Sequence, residues 1–175
     1  VYDLRHLSDH VARIRAALPK GLELYYAAKA NAEPELLRVL AHHVDGFDVS
    51  SGGELLHVRS SVPEAPLAFS GPGKSPAELA TALEAGIERV HIESLHELAV
   101  IESLAARPVD VLLRVNVDLP DGVLVGQALT MGGSPSPFGL EPGAAAEALR
   151  RAAAGELEQV RIRGVHAHLA SGLDA

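Results

Sequence analysis

Lys29 is the residue whose type and place make the strongest chemical demand. It closes the apolar run Leu22–Ala28, where an ammonium without a partner meets a steep desolvation penalty. A lysine buried in such surroundings gives up its proton more readily, and the free amine is a nucleophile suited to Schiff-base chemistry. The competing arrangement is a lysine that emerges at a strand end and pairs with a carboxylate such as Asp48. Only three of the 15 basic residues are lysines. Lys20 follows Pro19 in a turn and Lys74 lies in the Gly71-Pro-Gly turn, so neither is expected to rival Lys29. His166 and His168 stand two apart on one extended run and share a side. Such a pair holds a divalent metal if carboxylates such as Asp48 or Glu93 complete the set. Otherwise one imidazole packs in the core and the other stacks or hydrogen-bonds. Gly71-Pro-Gly-Lys-Ser75 is neither a Walker loop, which needs glycine where Ala68 stands, nor G-x-G-x-x-G, whose last position is Pro76. Ala170-Ser171-Gly172 offers backbone N–H groups and a hydroxyl to a phosphate.

These residues need elements to hold them. Short apolar runs recur at Leu22–Ala28, Gly46–Ser50, Pro66–Ser70, Arg89–Glu93, Val109–Val117 and Val160–Leu169. Several lack polar alternation, the habit of strands covered on both faces. Helical stretches separate them. Pro34 suits the first helical position, and Ser75/Glu78 and Ser94/Glu97 have capping-box spacing. The stretch from Pro142 to Ala154 ends at Gly155, a favourable residue past a helix end. Further helices are expected from about Ser8 to Leu18 and from near Gly53. Strand–helix–strand repetition implies parallel pairing through right-handed crossovers. The pattern fits a doubly wound sheet or part of a (β/α)8 barrel, which usually needs about 250 residues. Asp118–Pro137 is a long irregular stretch rich in Gly and Pro, a length that usually carries function. The C-terminal strand ends collect Lys29, Asn31, Asp48, Ser50, Ser51, Ser70, Lys74, Glu93, Arg114, Asn116, His166, His168 and Ser171, whereas the opposite ends hold nothing comparable.

The 175 residues carry 15 basic and 23 acidic side chains, a formal charge of −8. That charge suits neither nucleic acid nor an anionic membrane surface. With 47% hydrophobic and 22% charged residues the composition is that of a globular domain. No apolar run is long enough to span a membrane, no secretory leader is visible, and the lack of cysteine excludes disulfides and thiolate sites in this segment.

In order along the chain, Val1-Tyr-Asp-Leu4, Tyr26-Ala-Ala-Lys-Ala-Asn31, Phe47-Asp-Val-Ser-Ser-Gly-Gly-Glu-Leu55, Ser70-Gly-Pro-Gly-Lys-Ser75, Ile92-Glu-Ser-Leu-His-Glu-Leu98, Leu113-Arg-Val-Asn116, Ser136-Pro-Phe-Gly139 and Gly164-Val-His-Ala-His-Leu-Ala-Ser-Gly172 resemble the barrel domain of the fold-type III decarboxylases that use pyridoxal 5'-phosphate. Ornithine and diaminopimelate decarboxylases belong to that family. The family often has Lys where Pro137 stands and Gly where Ala170 stands. The resemblance implies an α/β fold of the (β/α)8 type, with residues 1–175 an incomplete portion of about six parallel strands. It implies that Lys29 carries the cofactor as a Schiff base and that His168 stacks on its ring. Ser171 would bind the phosphate, Asp48 would lie beside the lysine, and Arg114 would support the histidine side.

The activity so implied is decarboxylation of an amino acid. The expected setting is a cytoplasmic homodimer acting on a small molecule, with no nucleic-acid or membrane partner and no metal. The remaining barrel strands and a β-domain would lie outside these residues, so the 175-residue piece alone is expected to be inactive and prone to associate. Alternatives are an alanine racemase-like enzyme, a non-catalytic homologue that binds the cofactor, and a metal-dependent barrel hydrolase using His166 and His168.

Overall fold

The computed structural model describes residues 1–117 and 137–168, together with the backbone of 129–130 and 170–171. Helices and strands alternate. After α1 (Leu4–Ala17) come β1 (Tyr25–Ala27), a 3-10 turn (Ala28–Ala30), α2 (Pro34–Leu40), β2 (Gly46–Val49), α3 (Gly52–Ser61) and β3 (Leu67–Phe69). The chain continues through α4 (Pro76–Glu84), β4 (Arg89–Ile92), α5 (Leu95–Leu104), β5 (Val109–Arg114), β6 (Leu129–Thr130), α6 (Pro142–Ala153), β7 (Val160–His166) and β8 (Ala170–Ser171). All six expected strands are present, each shorter than its apolar run. Most of the irregular stretch Asp118–Pro137 lies outside the described residues.

Local chemistry explains the helix starts. Asp3 caps α1 by accepting the His6 N–H at 2.9 Å, four residues earlier than the expected start at Ser8. Pro34 and Pro142 begin α2 and α6, where the missing N–H costs nothing. Ser51 and Ser94 cap α3 and α5. Gly155 closes the turn after α6 with φ +74°, a conformation that side chains resist.

The chain forms two compact units. In the first, residues 1–70 and 81–88, β1, β2 and β3 pair in parallel, with Ala27 opposite Asp48 and Asp48 opposite Ala68. Phe47, Val49, Leu67 and Phe69 are fully buried against Leu37, Leu55 and Val58 of the flanking helices. Gly46 is required at the start of β2, because a Cβ there would lie 2.7 Å from the Pro66 carbonyl oxygen. In the second, residues 71–80 and the chain from Arg89 on, β4, β5 and β7 pair in parallel. Its core holds Val90, Ile92, Leu98, Ile101, Val111 and Leu113. A register shift between Val111 and Leu112 lets Arg114 pair with His166. β6 and β8 form a separate two-residue antiparallel ladder, Leu129 opposite Ser171. Among the described residues no helix is long and apolar enough to cross a membrane.

Candidate cofactor site

In the first unit the apolar run ends earlier than its composition suggests. Before the strand the Leu24 N–H donates to the Asp45 carboxylate, so β1 starts only at Tyr25, and the 3-10 turn Ala28–Ala30 ends it after Ala27. Ala28 is fully buried, but the next residue, Lys29, is exposed. Of the two arrangements open from the sequence, a buried amine and one that emerges at the strand end, the second is found: the turn carries the amine out of the core. No hydrogen bond or ion pair to another described residue holds its ammonium, so pairing with Asp48 is not what occupies it. The turn itself is well fixed. Tyr26 donates its hydroxyl to the Asn31 carbonyl at 3.1 Å, and Asn31 accepts the Glu33 N–H at 3.0 Å. Burial raises the Tyr26 pKa and keeps that hydroxyl a donor. On the adjacent strand Asp48 accepts a 2.8 Å hydrogen bond from the Ser70 hydroxyl.

The second unit gathers charge more densely. Lys74 was expected to be a plain turn residue, yet its side chain is 0% exposed. Its ammonium donates to the Gly71 carbonyl, to the His91 carbonyl at 2.9 Å and to Glu97 Oε1 at 2.9 Å. Burial pushes the Glu97 carboxyl above its ordinary range, and Lys74 offsets only part of that rise. Glu97 has capping-box spacing from Ser94, but its carboxylate accepts the N–H of Glu93, one residue before the cap, at 2.7 Å. Glu54 does the same on α3, accepting the Ser50 N–H at 2.8 Å.

Glu93 in turn binds Arg114. One guanidinium nitrogen lies 2.8 and 3.1 Å from the two Glu93 oxygens, with both side chains almost wholly buried. The Arg114 guanidinium also stacks over Phe138, 4.7 Å from the ring centre. His166 neighbours Arg114 in register, and its ring meets His91 with centroids 4.4 Å apart. Both Nδ1 atoms are buried without a hydrogen-bond partner among the described residues. Burial first, then the neighbouring His166, Lys74, Arg89 and Arg114, lower the His91 pKa to about 3. Burial and Arg114 lower His166 as well, against the opposing pull of Glu93. His168 is half-buried just beyond β7. Ser171 is placed by its backbone in β8, and its side chain lies outside the described residues.

Of the residues singled out in the sequence, Lys29 in the turn after β1 and Asp48 on the neighbouring β2 belong to one unit, and Arg114 and His168 belong to the other. The Lys74–Glu97 pair was missed. Its signal was present in the Ser94-x-x-Glu97 spacing, which reads as a cap and says nothing of a lysine seventeen residues before His91. A metal site gains no support: among the described residues no three metal-binding side chains cluster.

The family described as pyridoxal-dependent decarboxylase, pyridoxal binding domain, matches residues 4–175. The chain belongs to this family. Among curated relatives of this pyridoxal-dependent decarboxylase family, 2-((L-alanin-3-ylcarbamoyl)methyl)-2-hydroxybutanedioate decarboxylase of Staphylococcus aureus is 33% identical over 100% of this chain and 44% of its own length. Diaminopimelate decarboxylase of Bacteroides thetaiotaomicron is 32% identical over 97% of the chain and 45% of its own. Diaminopimelate decarboxylase from Helicobacter pylori, solved in complex with L-lysine, superposes with a TM-score of 0.79 at 28% identity, covering 97% of this chain and 43% of that one. The chain therefore spans less than half the length of the relatives it matches. The likeness in fold agrees with the α/β-barrel assignment made from the sequence.

The side chains suit pyridoxal phosphate. Lys29 presents an exposed primary amine for the cofactor's aldehyde. In the second unit, taken by itself, the His91 and His166 imidazoles held toward their neutral form and an Arg114 guanidinium paired with Glu93 offer polar groups without excess cationic charge.

Proposed function

We propose that this chain is the cofactor-binding portion of a pyridoxal-phosphate-dependent amino-acid decarboxylase. The observation that carries the reading is the family match over residues 4–175 together with the exposed Lys29 amine, unpaired among the described residues, on a turn fixed by Tyr26. Lys29 would hold the cofactor through its aldehyde and would return a proton to the substrate carbon. The chemistry that the cofactor would supply when bound is an acceptor for the electron pair released as the α-carboxylate leaves. Asp48, held by Ser70, places a carboxylate on the strand beside the lysine turn. His168 provides a flat face for stacking and Ser171 binds the phosphate. Arg114, fixed by Glu93, supports the histidine side.

The substrate proposed is an amino acid, acted on by a homodimer of the full natural chain in the cytoplasm. Relatives named for diaminopimelate and for an alanyl unit joined through an amide to a hydroxy-diacid define the first panel to try. The full natural chain with added pyridoxal phosphate should turn yellow and release carbon dioxide from one panel member. Lys29→Ala should abolish both. A colourless wild-type protein overturns the proposal, and racemised product without carbon dioxide would move it to the racemase reading.

A further inference from the structure

Glu93 occupies a position that the cofactor reading does not use. Glu93 joins three separate pieces of the second unit, two through its buried carboxylate and one through its backbone N–H. It receives the Arg114 guanidinium from the end of β5. It also accepts the N–H of Gly139 at 3.1 Å, from the segment that leads into α6. Its own N–H is held by Glu97, which Lys74 anchors to the turn at Gly71. The Phe138–Leu140 segment is locked to the same place by other means. Leu140 N–H donates to the Arg114 carbonyl at 2.7 Å, and Asn116 N–H donates to Leu140 at 2.9 Å. Gly139 sits at φ +79°, where a Cβ would approach the Asn116 nitrogen to 3.0 Å and the Arg114 oxygen to 3.1 Å. Phe138 covers the outer face of the guanidinium.

We propose that Glu93 is a positioning residue: one carboxylate sets both the direction of the Arg114 guanidinium and the seat of Phe138–Gly139, so that the end of β5 and the segment before α6 hold one geometry. A carboxylate suits this task because it has two oxygens and about four acceptor directions, and here both oxygens meet Arg114 while one also meets an amide. Glutamine keeps a single acceptor oxygen and brings an N–H2 group that faces the arginine. Alanine removes every contact. Because Arg114 is read above as the support of the cofactor's histidine side, the functional consequence rests on that reading, whereas the seating of Gly139 does not.

The test uses the full natural chain with Glu93→Ala, Glu93→Gln and, as a control, Val58→Ala, which opens a cavity in the core of the first unit away from these contacts. Amide exchange at Gly139 is measured without cofactor, and pyridoxal-phosphate affinity by absorbance well below each variant's unfolding temperature. Glu93→Ala should speed exchange at Gly139 and weaken cofactor affinity roughly 10- to 100-fold, the scale typical of removing a partner that orients a binding group. Glu93→Gln should fall between Glu93→Ala and wild type, and Val58→Ala should leave Gly139 exchange and affinity at wild-type values. Unchanged Gly139 exchange in both Glu93 variants overturns the proposal, as does an equal loss of affinity in Glu93→Ala and Val58→Ala, which would mark the role as mere stability. Should Glu93→Ala fail to fold, Glu93→Gln decides by the same two readouts. A wild-type protein that binds no cofactor would sink the decarboxylase reading but leave the exchange result standing.

Discussion

Replacing His91 by leucine should flatten the acid side of the stability profile. In the unfolded chain this imidazole takes up a proton near its ordinary value of 6.5, but in the folded protein only near 3. Between those values the unfolded state binds more protons than the folded one, so stability falls as pH drops through that window. The contribution is fully present above the unfolded value and lost progressively below it. Integrating the linkage for one such group gives a loss of about 2 kcal/mol between pH 7.5 and pH 5, with a limiting slope of about 1.4 kcal/mol per pH unit. The physical source is burial against His166, with Lys74, Arg89 and Arg114 adding positive charge around a ring that has no carboxylate of its own. Leucine has similar bulk and nothing to protonate. Because His91 stays neutral over the window, removing it leaves the charge felt by His166 unaltered, so subtracting the two profiles isolates His91. Urea unfolding of wild type and His91→Leu, measured at half-unit steps from pH 7.5 to 5, should show the variant gaining about 2 kcal/mol relative to wild type across the range. Parallel profiles would refute the reasoning, because a ring that protonates freely in the fold cannot contribute a difference.

Lys74→Met should destabilise the protein by roughly 3–5 kcal/mol, since it leaves the buried Glu97 carboxylate without its cation, and adding Glu97→Gln should recover part of that loss in chemical denaturation. Gly46→Ala should cost about 1–3 kcal/mol by forcing apart Tyr25 and the Pro66 carbonyl, read as a lowered unfolding temperature. Lys29→Ala, by contrast, should alter stability by no more than about 0.5 kcal/mol, because the side chain is exposed and unpaired among the described residues, although it removes the cofactor's point of attachment.

The features legible in the sequence are those written by neighbours. Ser94 before Leu95, Pro34 and Pro142 at helix starts, and Gly155 after a helix end act within a few residues, and the fold uses them as expected. Strand identity was equally plain, since the apolar runs around Phe47, Phe69 and Leu113 have no other place than the core. Strand length was not, because apolar composition does not mark where the backbone turns: β1 stops at Ala27, opposite Asp48, where the 3-10 turn begins, although β2 runs on to Val49. The lysines were ranked by the polarity of their immediate surroundings, and that ranking misjudged Lys74. Lys29 follows an apolar run yet leaves it through a turn, whereas Lys74 sits in a Gly-Pro turn yet reaches inward. What buries Lys74 is the carbonyl of His91 and the carboxylate of Glu97, seventeen and twenty-three residues on. Such acceptors are distant in sequence and close only once β4 and α5 exist. The same holds for Glu93, whose partners Arg114 and Gly139 lie twenty-one and forty-six residues away.

Glu54 and Glu97 each fold back past their own helix cap to take the amide of the preceding residue, Ser50 and Glu93. A helix start with free amides attracts anions, through its exposed N–H groups and the positive end of its dipole. In α3 and α5 a built-in carboxylate stoppers that attraction, so a phosphate arriving from solvent meets negative charge there. Two of the most obvious anion berths of an α/β fold are thereby closed by the chain itself. An incoming phosphate is steered elsewhere by exclusion, and exchanging either glutamate for a neutral residue would open a competing berth.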